Sequence, residues 1–416
     1  MINKELLKNR NFLKIWISQL FSQLTINMLN FILITRIYER TGSTIAVALL
    51  WVFFCLPAVF VGPFSGLIID IISKRKILLY ANFFQAITVL IFFLISHHLY
   101  PIYIAVFIYS FLNQFYLPAE ATSIPWLVKK KNLPSANSLF LFTSQASFLL
   151  GFGSGGIFLK FISGDSAILI ASFFLLIAAA AIFLLPESSL QTKPSARINK
   201  FNIWISWLKE GWEFLSQRGK LVFYSFGLLA LFQTAVASLA AVFPALSVEI
   251  LKKPFSETGA GLVFPLAIGL IGGSTLFSRF ATNRRKKQWI FQGTLTGGVG
   301  LALISLLPLI NPYPEKQFLL VMLLLFVVGV SAALVYVPSQ TFIQETTPPA
   351  IRGRIFGMLS VIINLSVIPP VLFIALIIDT LGVNRLLFIL GLVFAGLSVI
   401  IAKKGNEIIL ATNHRS

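Results

Sequence analysis

The chain has 416 residues, 57% hydrophobic and only 11% charged, with a mean hydropathy of +0.88. A soluble domain of that composition lacks the polar residues to cover its own core, so ordinary globular and disordered classes are excluded. The formal charge of +19 sits in short clusters at 74–76, 129–131, 284–287, 352–354 and 403–404, between apolar runs. That pattern fits membrane loops, and it leaves no basic, aromatic-interleaved surface for a nucleic acid.

The N-terminus carries Lys4, Lys8 and Arg10 ahead of an apolar run that is longer than the 7–15 residues, roughly, of a signal-peptide core. It reads as a retained first span. Runs of about 20 apolar residues cross a bilayer, and twelve such spans fit at about 11–36, 44–69, 77–97, 101–125, 136–160 and 166–185, then 220–243, 258–280, 289–308, 318–345, 355–379 and 385–402. With both termini in the cytoplasm, only seven of the 33 Lys and Arg residues fall outside: Arg36, Arg40, Lys160, Lys252, Lys253, Lys316 and Arg385. This asymmetry sets the expected orientation.

The first span carries Gln19, Gln23, Asn27 and Asn30 on one helical stripe, and Arg36 near its outer end with Glu39 one turn on. Arg36 is expected to snorkel or to pair. Between the second and third spans, Gly62 and Gly66 lie four apart on one face, where small residues admit a neighbouring backbone. Asp70 follows at the membrane edge, then Lys74, Arg75 and Lys76. The fourth span holds Asn113, Gln114 and, near its cytoplasmic end, Glu120. An ionisable group in a membrane is a functional hypothesis by default, and Glu120 is the strongest candidate to carry a proton. In the fifth span Ser147, Gly151, Gly155 and Gly156 suit close helix packing.

A polar stretch then opens with Pro186-Glu-Ser-Ser. Phe201, Trp204, Trp207, Leu208, Trp212 and Leu215 recur at helical spacing, with Lys200, Lys209, Glu213 and Arg218 between them. Such a helix suits the membrane interface; a partner-binding helix is the rival. The chain divides on this basis into residues 1–185, a cytoplasmic linker at 186–219, residues 220–402 and a tail at 403–416. Gln233, Tyr336 and Gln340 are the polar residues of the seventh and tenth spans. Asp379 ends the eleventh, which Pro369 and Pro370 allow to kink. The fourth span ends in FYLPAEATSIPWLVKKKNLPSANSL and the tenth in VYVPSQTFIQETTPPAIRGRIFGML, a weak internal repeat of the kind built into parallel-repeat transporters.

Chemistry of other kinds is poorly supplied. Cys55 stands alone, so no internal disulfide is possible, and His97, His98 and His414 make no metal-ligand set. No phosphate-binding Gly-x-x-x-x-Gly-Lys-[Ser/Thr] loop and no Ser-His-Asp or zinc signature is present. Neither an enzyme nor a cofactor or metal is expected.

Residues 66–76, GLIIDIISKRK, resemble the loop between helices 2 and 3 of the major facilitator superfamily, Gly-x-Leu-Ala-Asp-Arg-x-Gly-Arg-[Lys/Arg]. Gly66, Asp70, Lys74 and Arg75 fit it, while Ile71 and Ser73 replace its Arg and Gly. TGSTIAVALL before the second span, LPSAN after the fourth and PPAIRGRIFG after the tenth resemble the macrolide-efflux and siderophore-exporter-like branch. The fifth span resembles the antiporter motif Gly-x-x-x-Gly-Pro-x-x-Gly-Gly, with Phe152 in place of its Pro.

The resemblance implies an all-α membrane protein of twelve helices in two six-helix pseudo-symmetric halves. Helices 1, 4, 7 and 10 then line the substrate cavity with Gln19, Gln23, Asn27, Asn30, Asn113, Gln114, Gln233, Tyr336 and Gln340. Asp70 meets the start of helix 11 at Arg352, Gly353 and Arg354 as a latch on the cytoplasmic side. The implied activity is proton-coupled efflux of a small, partly lipophilic compound by a monomer in the plasma membrane. A metabolite facilitator or importer, or a non-transporting receptor of the same fold, are the alternatives.

Overall fold

In a computed structural model, residues 4–95, 100–129, 132–153, 155, 159, 161–186, 227–280, 286–310, 314–346 and 352–410 are described. Among them, ten helices are long and apolar enough to cross a membrane. Residue contacts divide the chain into two compact units, 1–40 with 49–200 and 41–48 with 201–416.

The first unit contains α1 (Lys4–Lys8), α2 (Arg10–Thr41), most of α3 (Thr44–Phe60), α4 (Gly62–Ile71), α5 (Lys74–Leu94), α6 (Tyr100–Leu127), α7 (Leu133–Ser147) and α8 (Gly164–Phe183). Asn9 fixes the start of α2, its Oδ1 accepting from the amides of Asn11 and Phe12 at 3.1 Å each. A side-chain oxygen there satisfies donors that a first helical turn leaves unpaired. The helix ends at Thr41 because Gly42 takes φ +61°, a left-handed turn that costs glycine nothing.

The second expected span, 44–69, is divided into two helices. α3 carries Pro57 within it and stops at Phe60, and α4 begins beyond Val61 with a proline in its first turn. Proline gives no N–H and crowds the preceding turn, so it is tolerated at a helix start and breaks a helix interior. The fifth expected span is also irregular: α7 passes at Ser147 into a π-helical segment, Phe148–Gly153. Gly151 lies there against α2 so closely that a Cβ would stand 2.8 Å from Asn27 Cβ and 2.9 Å from the Leu24 carbonyl. Below this point Phe12, Ile15, Leu78, Tyr116, Phe140 and Ile182 form the buried core of the unit.

The second unit contains the first turn of α3 with α9 (Gly227–Glu249), α10 (Phe255–Phe280), α11 (Lys286–Ile310), α12 (Pro314–Thr346), α13 (Arg352–Leu381) and α14 (Val383–Leu410). Its helices meet through glycine. A Cβ on Gly269 of α10 would lie 2.1 Å from the Phe326 carbonyl of α12, and one on Gly329 of α12 would lie 2.0 Å from the Leu266 carbonyl. Gly298 of α11 and Gly391 of α14 pack in the same reciprocal way. Lipid tails are as apolar as leucine, so helices in a bilayer associate through such close van der Waals approach.

Carboxylates hold two helix starts in this unit. Asp379 accepts from the Ser43 hydroxyl at 2.7 Å and from the amides of Thr44 and Ile45 at 2.8 and 3.2 Å, all at the beginning of α3. Glu249 accepts from the Val383 amide at 2.9 Å at the beginning of α14. Negative charge is favoured at the positive end of a helix. The outward faces of the helices are apolar, with Leu309, Leu319 and Phe373 each well over half exposed. Surfaces of that kind are normal only against lipid or a partner.

Candidate functional site

Among the described residues of the first unit, the buried carboxyl within a membrane-length helix is Glu120, on α6 and 6% exposed. Tyr116 stands four residues earlier, on the same face of the helix, and its hydroxyl donates to Glu120 Oε1 at 3.0 Å. The Ser18 hydroxyl of α2 lies 3.4 Å from the Tyr116 oxygen, and Asn82 Nδ2 of α5 donates to Ser18 Oγ at 2.9 Å. Ser18, Asn82 and Tyr116 are fully buried.

A tyrosine hydroxyl has one proton; given to an ionised Glu120 it leaves the Ser18 hydroxyl as the donor to Tyr116, while a protonated Glu120 can donate in turn. Asn82, Ser18, Tyr116 and Glu120 thus form one hydrogen-bonded chain. Tyr116, Ser18 and Asn82 are absent from the residues that the sequence singles out. Tyr116 was within reach, being one helical turn from Glu120, but the other two are joined only by the packing of α2 and α5.

The amides on the α2 stripe face several surroundings. Gln19 is buried, its Nε2 donating to the Phe140 carbonyl of α7 at 2.9 Å. It works there as a tie between helices, beside the Trp16 indole, which donates to Thr143 at 2.8 Å. Asn27 turns back on its own helix and donates to the Gln23 carbonyl at 2.7 Å. Asn30 makes no hydrogen bond among the described residues and lines a hollow between α2, α3, α5 and α6. On α6, Asn113 is buried, and Gln114 donates to the Ser110 carbonyl at 3.3 Å, its Oε1 close to Gly62 of α4. In the second unit Gln233, Tyr336 and Gln340 are half-buried, and Tyr336 packs against Phe232 with ring centres 4.5 Å apart and planes tilted by 38°.

Of the latch residues, Lys74 is buried and its Nζ sits 5.2 Å from the centre of the Trp126 ring. Arg75 donates to the Phe183 carbonyl at 2.7 Å. Both contacts lie inside the first unit, and a cation over an aromatic face is attracted by the ring quadrupole. The side chains of Asp70, Arg352 and Arg354, like Gly66, Gly353 and Gly156, lie outside the described residues. Gly155 meets the Phe31 ring, which a Cβ would overlap, and Ser147 is buried. Arg36 pairs with Asp165 in the first turn of α8. No cluster of three or more potential metal ligands occurs among the described residues.

Long apolar helices with lipid-type outer faces and a few enclosed polar groups define a multi-pass membrane protein. The Major Facilitator Superfamily model matches residues 15–370, and the chain belongs to that superfamily of membrane transporters. It is 25% identical over 377 residues to the MFS-type transporter YfiS of Bacillus subtilis (strain 168), covering 88% of this chain and 87% of that one. Macrolide efflux protein A of Streptococcus pyogenes is 22% identical over 395 residues, 94% of each chain. Among solved structures, a POT family transporter in complex with a thioalcohol-conjugated peptide superposes with a TM-score of 0.75 at 14% identity, over 95% of this chain and 96% of that one. A mutant of the nucleoside transporter NupG gives 0.72 at 16% identity, over 95% and 98%. Those two likenesses bear on the fold alone.

Proposed function

We propose that this protein is a proton-coupled secondary transporter that exports a small, partly lipophilic compound by alternating access. In this reading it has twelve spans in two six-helix halves, 1–185 and 220–402, joined by a cytoplasmic linker at 186–219 and followed by a tail at 403–416. It acts as a monomer in the plasma membrane with both termini in the cytoplasm. Asp70 and the start of α13 serve as the cytoplasmic latch. The amides Gln23, Asn27, Asn30, Asn113 and Gln114, with Gln233, Tyr336 and Gln340, contact the substrate.

The observation that carries the reading is Glu120, a carboxyl buried within a membrane-length helix and joined to Tyr116, Ser18 and Asn82 by a hydrogen-bonded chain. A carboxyl can change charge inside the protein, which the neighbouring amides and hydroxyls cannot, and in transporters such groups mark proton relays. The efflux direction is supported by the likeness to macrolide efflux protein A.

Inside-out vesicles holding Glu120→Gln test it, with a panel of lipophilic compounds and with or without an imposed proton gradient. Glutamine keeps the size and the hydrogen-bond acceptor of the side chain but carries no exchangeable acid. Gradient-driven accumulation should vanish while binding of the same compound persists. Concentrative transport at the original rate would remove Glu120 from the coupling.

A further inference from the structure

The five-residue helix α1 is docked on the first unit by side chains. Leu6 is 2% exposed although Glu5 and Leu7 on either side are exposed, and it joins the buried cluster that holds Tyr116, Ala119, Ile124 and Leu127 of α6. Asn132, at the start of α7, donates from Nδ2 to Glu5 Oε2 at 2.8 Å. Asn9 donates from Nδ2 to the Leu127 carbonyl at 2.7 Å. That carbonyl belongs to the last turn of α6, where a helix leaves its acceptors unpaired.

These contacts fall at the end of the helix face that carries Glu120. Residues three, four and seven positions on share its side of α6. They are Ser123, Ile124 and Leu127, all buried. Beyond Leu127 the same face reaches Asn9, and Leu6 closes the cluster. Water approaching Glu120 along this face from the near end of α6 has to displace α1.

A helix of five residues does not hold itself together, because nucleation is unfavourable and isolated helices need about 12–15 residues to persist. Docking alone orders α1. It comes away as a unit once one leucine and two side-chain bonds are released, and elements with so few buried apolar contacts lie at the low-stability end of a fold.

We infer that α1 is a lid over the aqueous approach to Glu120, with Leu6 as its plug and the Asn132 and Asn9 bonds as its fastenings. Docked, it keeps water at that end from the carboxyl; undocked, it lets water in. In the proposed orientation this is the cytoplasmic end. The lid takes its purpose from the proton-carrying role proposed for Glu120, but its test reads chemical access and not transport, so the two can fail separately.

Two carbodiimides report that access, since each adds to a protonated carboxyl and leaves a stable acylurea. One is cationic and water-soluble; the other, dicyclohexylcarbodiimide, dissolves in lipid. The purified full chain in nanodiscs is treated with each at one pH, and the adduct on Glu120 is timed by peptide mass spectrometry. Leu6→Asn exchanges the plug for a polar side chain of similar size, and the water-soluble reagent should then react about tenfold faster or more. Asn9→Asp keeps the oxygen that caps α2 but loses the donor to Leu127, and Asn132→Ala loses the donor to Glu5. Each should raise that rate about threefold. The lipid-soluble reagent should label these variants and the parent alike.

A second arm leaves Leu6 and Asn9 in place. In a chain with Cys55 replaced, Glu5→Cys and Asn132→Cys joined by a bifunctional methanethiosulfonate should slow the water-soluble reaction, and reduction should restore it. An unchanged water-soluble rate in Leu6→Asn or in the bridged chain would overturn the inference. So would an equal rise with both reagents, which marks a loosened bundle and not an opened lid.

Discussion

A single hydroxyl decides how Glu120 is held. Tyr116 fills a fully buried position with its ring and spends its one proton on the carboxyl. Tyr116→Phe keeps the ring and leaves both Glu120 and the Ser18 proton without that partner. Hydrogen bonds to charged groups are worth about 1.5–3 kcal/mol, so gradient-driven transport should fall by about tenfold or more, with an altered dependence on pH and unchanged expression. The pH profile separates the two roles open to Tyr116, because a residue that only packs would leave it where it was. Much at this scale was readable in the chain itself. A carboxyl in an apolar run stands out, and a tyrosine four positions before it shares its face. Ser18 and Asn82 were not readable, because nothing local marks which hydroxyl or amide on another helix will be opposite.

Among elements, the sequence conveyed length and apolar character well and continuity poorly. The expected spans at 11–36, 101–125 and 166–185 lie within or beside α2, α6 and α8. The span at 44–69 is α3 and α4 because two prolines fall where hydrophobicity alone sees one run. The span at 136–160 passes through a π-helical segment that no composition announces. Asp379 looked like a charge at a helix end, and its hydrogen bonds reach residues more than 330 positions away.

Glycine contacts give the sharpest test at this scale. Gly329→Leu forces α12 away from the Leu266 carbonyl of α10, and overpacking of that kind costs about 1–3 kcal/mol. Gly272→Ala, where nothing lies within 4 Å of the added Cβ, should be neutral or slightly stabilising, since alanine favours the helix. Thermal loss of the monodisperse protein in detergent, read by size exclusion, compares the two. Equal melting of both variants would mean that the α10–α12 crossing contributes little to the fold.

For the whole molecule, the distribution of charge makes the strongest claim. Lys252 and Lys253 follow α9 on one side, and Lys403 and Lys404 stand in α14 toward the other. The orientation proposed from the positive-inside bias puts the first pair outside and the second in the cytoplasm. With Cys55 replaced, a cysteine at Lys252 in intact cells should react with a membrane-impermeant maleimide, and one at Lys403 only after permeabilisation. The reverse pattern would invert the topology and with it the direction assigned to transport. The superfamily was visible in the sequence through the spacing of its loops. The arrangement of helices about each unit was not, since it depends on which glycines face which carbonyls.

The turn at Val61 has a mechanical consequence. Helical bonds still run through it, Val61 N to the Pro57 carbonyl and Ser65 N to the Val61 carbonyl, but Pro63 supplies no N–H and the span can kink there. The short arm, α4, holds ten residues and is about 15 Å long, and its free end carries the turn into α5. A swing of about 20°, the size of an ordinary helix kink, moves that end by about 5 Å. A bend at that point would redirect the turn into α5 without any change in the sequence of the span on either side.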